Sequence, residues 1–371
     1  MIVIKPWNQK KFKLNREKYP IKNIYNFDKT LNLSTSFDDT KSPDFIHDLR
    51  KAAEYHKAVR KYIQTFLKPE MKIYDISNLI ENKIIELTQV NDLTAGIAFP
   101  TGVSLNNIIA HDTANPNDNR IFGYNDICKI DYGVHVNGYI IDCAFSATFN
   151  PKYEPLLLAT KEATWGGIKL AGPDALCNEI SAEIKEIIES HEIELDGKNY
   201  AIKAVNDLGG HSIDQYNIHS GLLLLCAPCN LPQYANMRMP VNSSFAIETF
   251  ASTGTGKYKQ GEIINHFMLN KDVDKINYNF KTTKSIHQWI TKNRGTLPFT
   301  QRWISKDPII GSKDPIIGSK YRLGLKELLD KKIVIGYPPL YDISGSYTSH
   351  MEHTIYIHEY GKEVLSAGDD Y

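Results

Sequence analysis

Asp131, Asp142, His211, Glu248 and Glu352 are the side chains of this sequence best suited to joint chemistry. Each lies in or beside an apolar run that reads as a strand. Glu248 is the lone charge in Phe245–Phe250, FAIETF, and Glu352 sits in Met351–Ile357, MEHTIYI. A bare carboxylate inside an apolar strand is costly unless it is paired or metal-bound. Four carboxylates with one imidazole are the ligand mix for two borderline-hard divalent cations, since one ion would not require so much negative charge. Two ions about 3.5–4 Å apart would neutralise the set. The corresponding chemistry is metal-assisted hydrolysis. The ions acidify a bridging water and polarise the scissile carbonyl while a carboxylate shuttles the proton.

The elements that place the first two ligands are legible in Ile127–Phe145, ICKIDYGVHVNGYIIDCAF. Two β-rich runs flank Asn137-Gly138, a dipeptide that accepts positive φ at both turn positions and marks a two-residue hairpin. That register sets Val136 opposite Tyr139, Gly133 opposite Asp142 and Asp131 opposite Ala144. Asp131 and Asp142 then emerge on one face as diagonal neighbours, roughly 7–8 Å apart at Cα. Two like charges directed together repel unless something positive lies between them. His211 follows Leu208-Gly209-Gly210, where glycine permits close backbone approach at the end of a strand. His111 also ends an apolar strand, Ile108-Ile109-Ala110, and is followed by loop.

Around these strands the sequence predicts helices. One starts at Ser42 with Pro43 at its first position, and its stripe runs through Phe45, Leu49, Ala52, His56, Val59, Ile63 and Phe66 to Pro69. His56 lies on that stripe, which reads as a satisfied core histidine. A second helix follows from Asp75 with Ile76, Leu79, Ile80, Ile84 and Leu87. Two more cover about Glu154–Leu170 and Ala175–Ser190. The segment Asn270–Tyr337 differs in character. It holds helical patterns at Ser285–Arg294 and Arg322–Leu329 and a tandem duplication, SKDPIIG, at Ser305–Gly311 and Ser312–Gly318. Asp-Pro and Gly punctuation reads as loop there.

At 371 residues the chain exceeds the size at which single cores stop growing, roughly 250–300, so two lobes or an insertion are expected. It is 42% hydrophobic and 23% charged, which is enough for a sizeable core. Basic and acidic residues number 43 each, which argues against a dedicated nucleic-acid binder with its basic stripe. Five irregularly spaced cysteines make no disulfide scaffold and point to a reducing compartment. No run is long and apolar enough for a membrane span, and the reading is a soluble, cytoplasmic protein. Residues 1–40 are polar and lysine-rich, expected as a solvated strap over the core.

The segments AFPTGVSLNNIIAHDT, KIDYGVHVNGYIIDCAF, LGGHSIDQYNIHSG, FAIETFASTG, YPPLYDISGSYTSHMEHTI and KEVLSAGDDY, in this order, resemble type 2 methionine aminopeptidases. The resemblance covers most of the chain after residue 40. It implies an α+β pita-bread fold with pseudo-twofold α/β halves. The catalytic domain would comprise 41–269 and 338–371, with 270–337 as the inserted helical subdomain. It implies removal of initiator methionine from nascent chains whose second residue is small. Asp131, Asp142, His211, Glu248 and Glu352 would bind two divalent ions (Mn, Fe, Co or Zn), with Asp142 and Glu352 bridging and Glu248 also shuttling the proton. His111 and His219 would contact substrate, His111 being the residue alkylated by fumagillin-type epoxides. Phe99, Ile218, Phe250, His266 and Tyr337 would line the methionine pocket. The partners implied are nascent polypeptide N-termini, with association to the ribosome or an initiation factor. This chain departs from many members in lacking a long charged N-terminal extension and in carrying the SKDPIIG duplication.

Other patterns fail. Cys226-Ala-Pro-Cys229 has no second pair and reads as buried thiols. Gly254-Thr255-Gly256-Lys257 has Ala251 where a phosphate loop needs its first glycine and Tyr258 where it needs Ser or Thr. An X-Pro aminopeptidase or prolidase on the same fold is one rival. A non-catalytic pita-bread scaffold binding RNA or translation factors is the other.

Overall fold

Helices α1 (Asp44–Phe66) and α2 (Ile73–Thr88) lead the fold. The computed structural model describes residues 24–26, 44–273, 276–307 and 315–371. Of the expected strap over 1–40, only the strand Ile24–Asn26 is described, and the Ser42-Pro43 helix start lies outside the described residues. The stripe of α1 is buried at Leu49, Ala52, His56, Val59 and Ile63. At its end Phe66 is exposed and Leu67 is buried instead, because the chain leaves the helix there and turns inward. His56 is a satisfied core histidine: its Nε2 lies 2.9 Å from the Tyr132 carbonyl and its ring stacks on Tyr132.

The helices cover a sheet built on the hairpin β3 (Ile127–Val136) and β4 (Tyr139–Thr148), with β1 (Ala95–Ile97) and β2 (Gly102–Leu105) along the other edge of β3. Its register is the expected one: Val136 faces Tyr139, Gly133 faces Asp142 and Asp131 faces Ala144. Asn137 and Gly138 take φ of 49° and 80°, as a primed turn requires.

Helices α3 (Glu154–Leu170) and α4 (Cys177–Glu189) follow and cover the second sheet. Its strands are β5 (Gly209–Ile213), β6 (Leu223–Leu225), β7 (Ser243–Ser252), β10 (Thr348–His358) and β11 (Gly361–Val364). Their antiparallel order is Ile24–Asn26, β11, β10, β7, β5, β6, with Lys203–Ala204 also on β7. Helix pair on sheet thus occurs twice. The halves meet along β4 and β10 through side chains. Thr354 Oγ1 accepts from the Asp142 amide at 2.9 Å, and Ser146 Oγ donates to the His350 carbonyl at 2.8 Å. Cys143 Sγ lies 2.8 Å from the Glu352 carbonyl. These contacts hold the strands that carry Asp142 and Glu352 side by side.

Between β7 and β10 the chain forms β8 (His266–Leu269), α5 (Lys281–Asn293), α6 (Gln301–Lys306), α7 (Pro315–Asp330) and β9 (Val334–Tyr337). They bury a cluster of their own, including Phe267, Ile286, Ile290, Phe299, Leu325 and Leu328. The duplication is not loop throughout. Ser305 and Lys306 end α6, and Pro315–Gly318 of the second copy open α7, where proline at a first helical position forfeits no hydrogen bond. Residues 308–314 lie outside the described residues. Two buried arginines bind this segment to the rest. Arg302 pairs with Glu81 of α2, whose other oxygen accepts from Trp303 Nε1 at 2.9 Å. Arg294 donates to the carbonyls of Ile97 and Ala98, both at 2.9 Å, and to that of Pro298.

Candidate metal centre

Strand alternation decides which side chains face the site. On β10, Met351 and His353 turn toward the helices: Met351 lines a small cavity with Lys161 of α3, and the His353 ring meets Trp165. His350 and Glu352 therefore turn the other way. Glu352 is directly opposite Glu248 in the β7–β10 ladder, so their side chains share a face. His211 is in the middle of β5, opposite Ala246. A Cβ at the preceding Gly210 would lie 2.1 Å from the Ala246 carbonyl oxygen, so only glycine lets β5 approach β7 this closely.

All five expected ligands converge. Donor atoms of Asp131, Asp142 and Glu352 lie within 4.8 Å of one another, and so do those of Glu248, Glu352 and His350. His211 Nε2 is 3.7 Å from Asp142 Oδ2 and 3.6 Å from Glu248 Oε1. Their ion-pair contacts among the described residues are to imidazoles; no lysine or arginine neutralises them. Burial, with mutual repulsion adding to it, raises Asp142 and Glu352 well above the carboxylate range. Burial likewise raises Asp131 to about 6 and Glu248 to about 7. Burial lowers His211, which keeps its imidazole neutral at pH 7, the form that ligates metal. Asp131 Oδ1, Asp142 Oδ1 and Glu352 Oε1 are buried without a hydrogen-bond partner among the described residues. Orphaned carboxylate oxygens converging from two sheets fit a divalent cation, and the two overlapping donor sets share Glu352.

An aromatic-rimmed cavity opens onto the cluster. Asp131, Asp142, His211 and Glu248 form its polar end, while Phe99, Ile218, His219, His266, Tyr337 and His111 line the rest. His111 has a left-handed backbone, φ 63°, where β strand turns to loop. Its ring meets those of His266 and Tyr337 at 5.9 and 5.8 Å. His219 stands edge-on to His211 with centroids 4.4 Å apart. Phe99 lies over the hairpin at Gly133, where a Cβ would come within 2.3 Å of its ring. Phe250 is not in the cavity wall: it is buried and stacks on His350.

Residues 47–280 match the model of metallopeptidase family M24. Methionine aminopeptidase 2 of Clavispora lusitaniae is 44% identical over 339 residues, covering 90% of this chain and 74% of that one. The chain belongs to metallopeptidase family M24, among the type 2 methionine aminopeptidases. Solved structures of lower identity share the fold. A thermophilic Arx1 superposes with TM-score 0.71 at 17% identity, covering 89% of this chain and 92% of that one. A methionine aminopeptidase from Thermotoga maritima gives 0.57 at 18%, covering 88% and 98%. The fold of this metallopeptidase is thus the pita bread expected from sequence, and family membership makes it metal-dependent.

Two participants escaped the sequence reading. Pro298, from the segment between α5 and α6, lines the cavity, and nothing in its local sequence signals that. His350 stands among the clustered donor groups, its nearest one within 4.8 Å of those of Glu248 and Glu352. Its signal was available: two residues before Glu352 on a strand is the same face. Cys226 is buried and Cys229 half-buried, both as free thiols.

Proposed function

We propose that Asp131, Asp142, His211, Glu248 and Glu352 would hold two divalent ions, with Asp142 and Glu352 shared between them. The activity is that of a methionyl aminopeptidase, a metal-dependent hydrolase that removes N-terminal methionine. The observation that supports the ligand set best is the convergence of four nearly buried carboxylates and His211, with no lysine or arginine among the described residues paired to them, beside an aromatic-rimmed cavity. Bound divalent ions supply Lewis acidity, acidifying water and polarising a carbonyl. Glu248, which lines the cavity beside His211, would take a proton from the attacking water and return it to the leaving amine. His111 and His219, both lining the cavity beside the Tyr337 ring, would orient the scissile amide. Phe99, Ile218, His266 and Tyr337 receive the methionine side chain and exclude water from it.

The substrates are nascent chain N-termini with a small second residue, met in the cytoplasm with the ribosome or an initiation factor nearby. No helix among the described residues is long and apolar enough to cross a membrane. Fumagillin-type epoxides would alkylate His111. The prolidase-like alternative is not favoured, and a filled ligand set is at odds with a purely non-catalytic scaffold. The test is methionine release from Met-Ala-Ser against an Ala-Pro peptide, with metal stripped and then restored as Mn, Fe, Co or Zn. Release that survives thorough chelation, or preference for the Ala-Pro peptide, overturns the reading.

A further inference from the structure

We infer that His350 is a positioning residue of the metal centre: its Nε2–H donates to Glu248 Oε2 and so fixes which oxygen Glu248 turns toward His211. The inference rests on Glu248 being a metal ligand, as proposed above. In the β7–β10 ladder His350 stands opposite Phe250 while Glu352 stands opposite Glu248, so His350 is the diagonal neighbour of Glu248 on the same face. Its Nε2 is 2.9 Å from Glu248 Oε2 and 3.8 Å from Glu352 Oε2. The other oxygen of Glu248, Oε1, is the one facing His211 at 3.6 Å.

The imidazole is itself held. Its ring stacks on Phe250 with centroids 4.0 Å apart and planes 19° from parallel. Its backbone amide donates to Ser146 Oγ and its carbonyl accepts from the same hydroxyl, both at 2.8 Å.

The two histidines of the cluster differ in what their second nitrogen meets. A histidine that ligates metal through one nitrogen donates the N–H of the other to a neighbour. His211 Nδ1 has the Ser212 carbonyl at 3.4 Å, which leaves Nε2 bare toward Asp142 and Glu248. His350 Nδ1 is buried without a partner among the described residues. Ligation through its Nε2 would place an N–H at that unpartnered position, an unsatisfied donor costing roughly 1–3 kcal/mol. The other tautomer puts the hydrogen on Nε2, where Glu248 accepts it. His211 is therefore the ligand and His350 the donor.

The test uses the full chain, stripped and reloaded with Mn(II). Pulsed electron paramagnetic resonance counts imidazole nitrogens bound to the ion, and titration gives the affinity. One coordinated imidazole is expected, lost in His211→Gln and kept in His350→Gln and His350→Leu. Removing the donor in His350→Leu should weaken Mn(II) binding about 10–100-fold. His350→Gln, whose amide still donates, should stay within about threefold of wild type. Two coordinated imidazoles in wild type, or His350→Leu binding as tightly as wild type, overturns the assignment. So does His350→Gln binding as weakly as His350→Leu. A wild-type protein that takes up no Mn(II) instead overturns the metal-centre reading beneath it.

Discussion

If the cluster is built for cations, replacing one of its carboxylates should stabilise the metal-free protein, and Glu248→Gln is the variant to examine. Burial raises Glu248 from its ordinary 4.5 to about 7. Between those values the native apoprotein holds a proton that the unfolded chain has released, so apoprotein stability falls as pH rises through the window. Each pH decade is worth about 1.4 kcal/mol, so by pH 8 ionised Glu248 costs the fold on the order of 3 kcal/mol, against about 1 kcal/mol at pH 5. Glutamine has the same shape, no charge, and an amide oxygen that still accepts from His350. Chelator-treated Glu248→Gln should therefore exceed wild type in stability by about 3 kcal/mol at pH 8 and by no more than about 1 kcal/mol at pH 5. For 371 residues the larger figure is about 4 °C in Tm. Histidines such as His56 and His135, lowered to about 3 by burial, drive stability the other way below pH 6.5. They are common to both proteins and cancel in the difference. Urea titrations and thermal melts of the two apoproteins at both pH values measure it. A difference that is flat with pH, or a variant less stable than wild type at pH 8, refutes the claim that Glu248 is held as an uncompensated buried acid.

Other variants separate roles within the site. His211→Ala and Glu352→Ala should lose bound Mn(II) together with turnover. His111→Ala should keep its metal while kcat falls about 10²–10³-fold, the usual cost of one polar group at the reacting centre; equal metal loss in all three contradicts the division. Phe99→Ala and Tyr337→Ala should lower kcat/KM for methionyl peptides about 10–200-fold at unchanged metal content. Selectivity for methionine over alanine that survives both would remove those rings from the pocket. Away from the site, Glu81→Ala leaves the buried Arg302 guanidinium unpaired and should cost about 3–5 kcal/mol. A melt within a degree of wild type would show that the pair does not fasten the 270–337 segment.

The sequence alone determined whatever short-range rules govern. The Asn137-Gly138 turn and two-residue alternation set Asp131 and Asp142 on one face, and four-and-three spacing set the α1 stripe up to Ile63. Burial cost marked Glu248 and Glu352 as needing a partner, because a lone charge in an apolar strand is conspicuous by itself. Tertiary structure decided the rest. Glu248 meets Glu352 because β7 pairs with β10 across the whole intervening segment, and β10 meets β4 through Ser146, Thr354 and Cys143, contacts without any sequence period. It moved Phe250 out of the cavity wall, brought Pro298 into it, and aimed His350 at Glu248. Periodicity says which way a side chain points from its own backbone; which side chain it meets depends on the packing of strands distant in the chain.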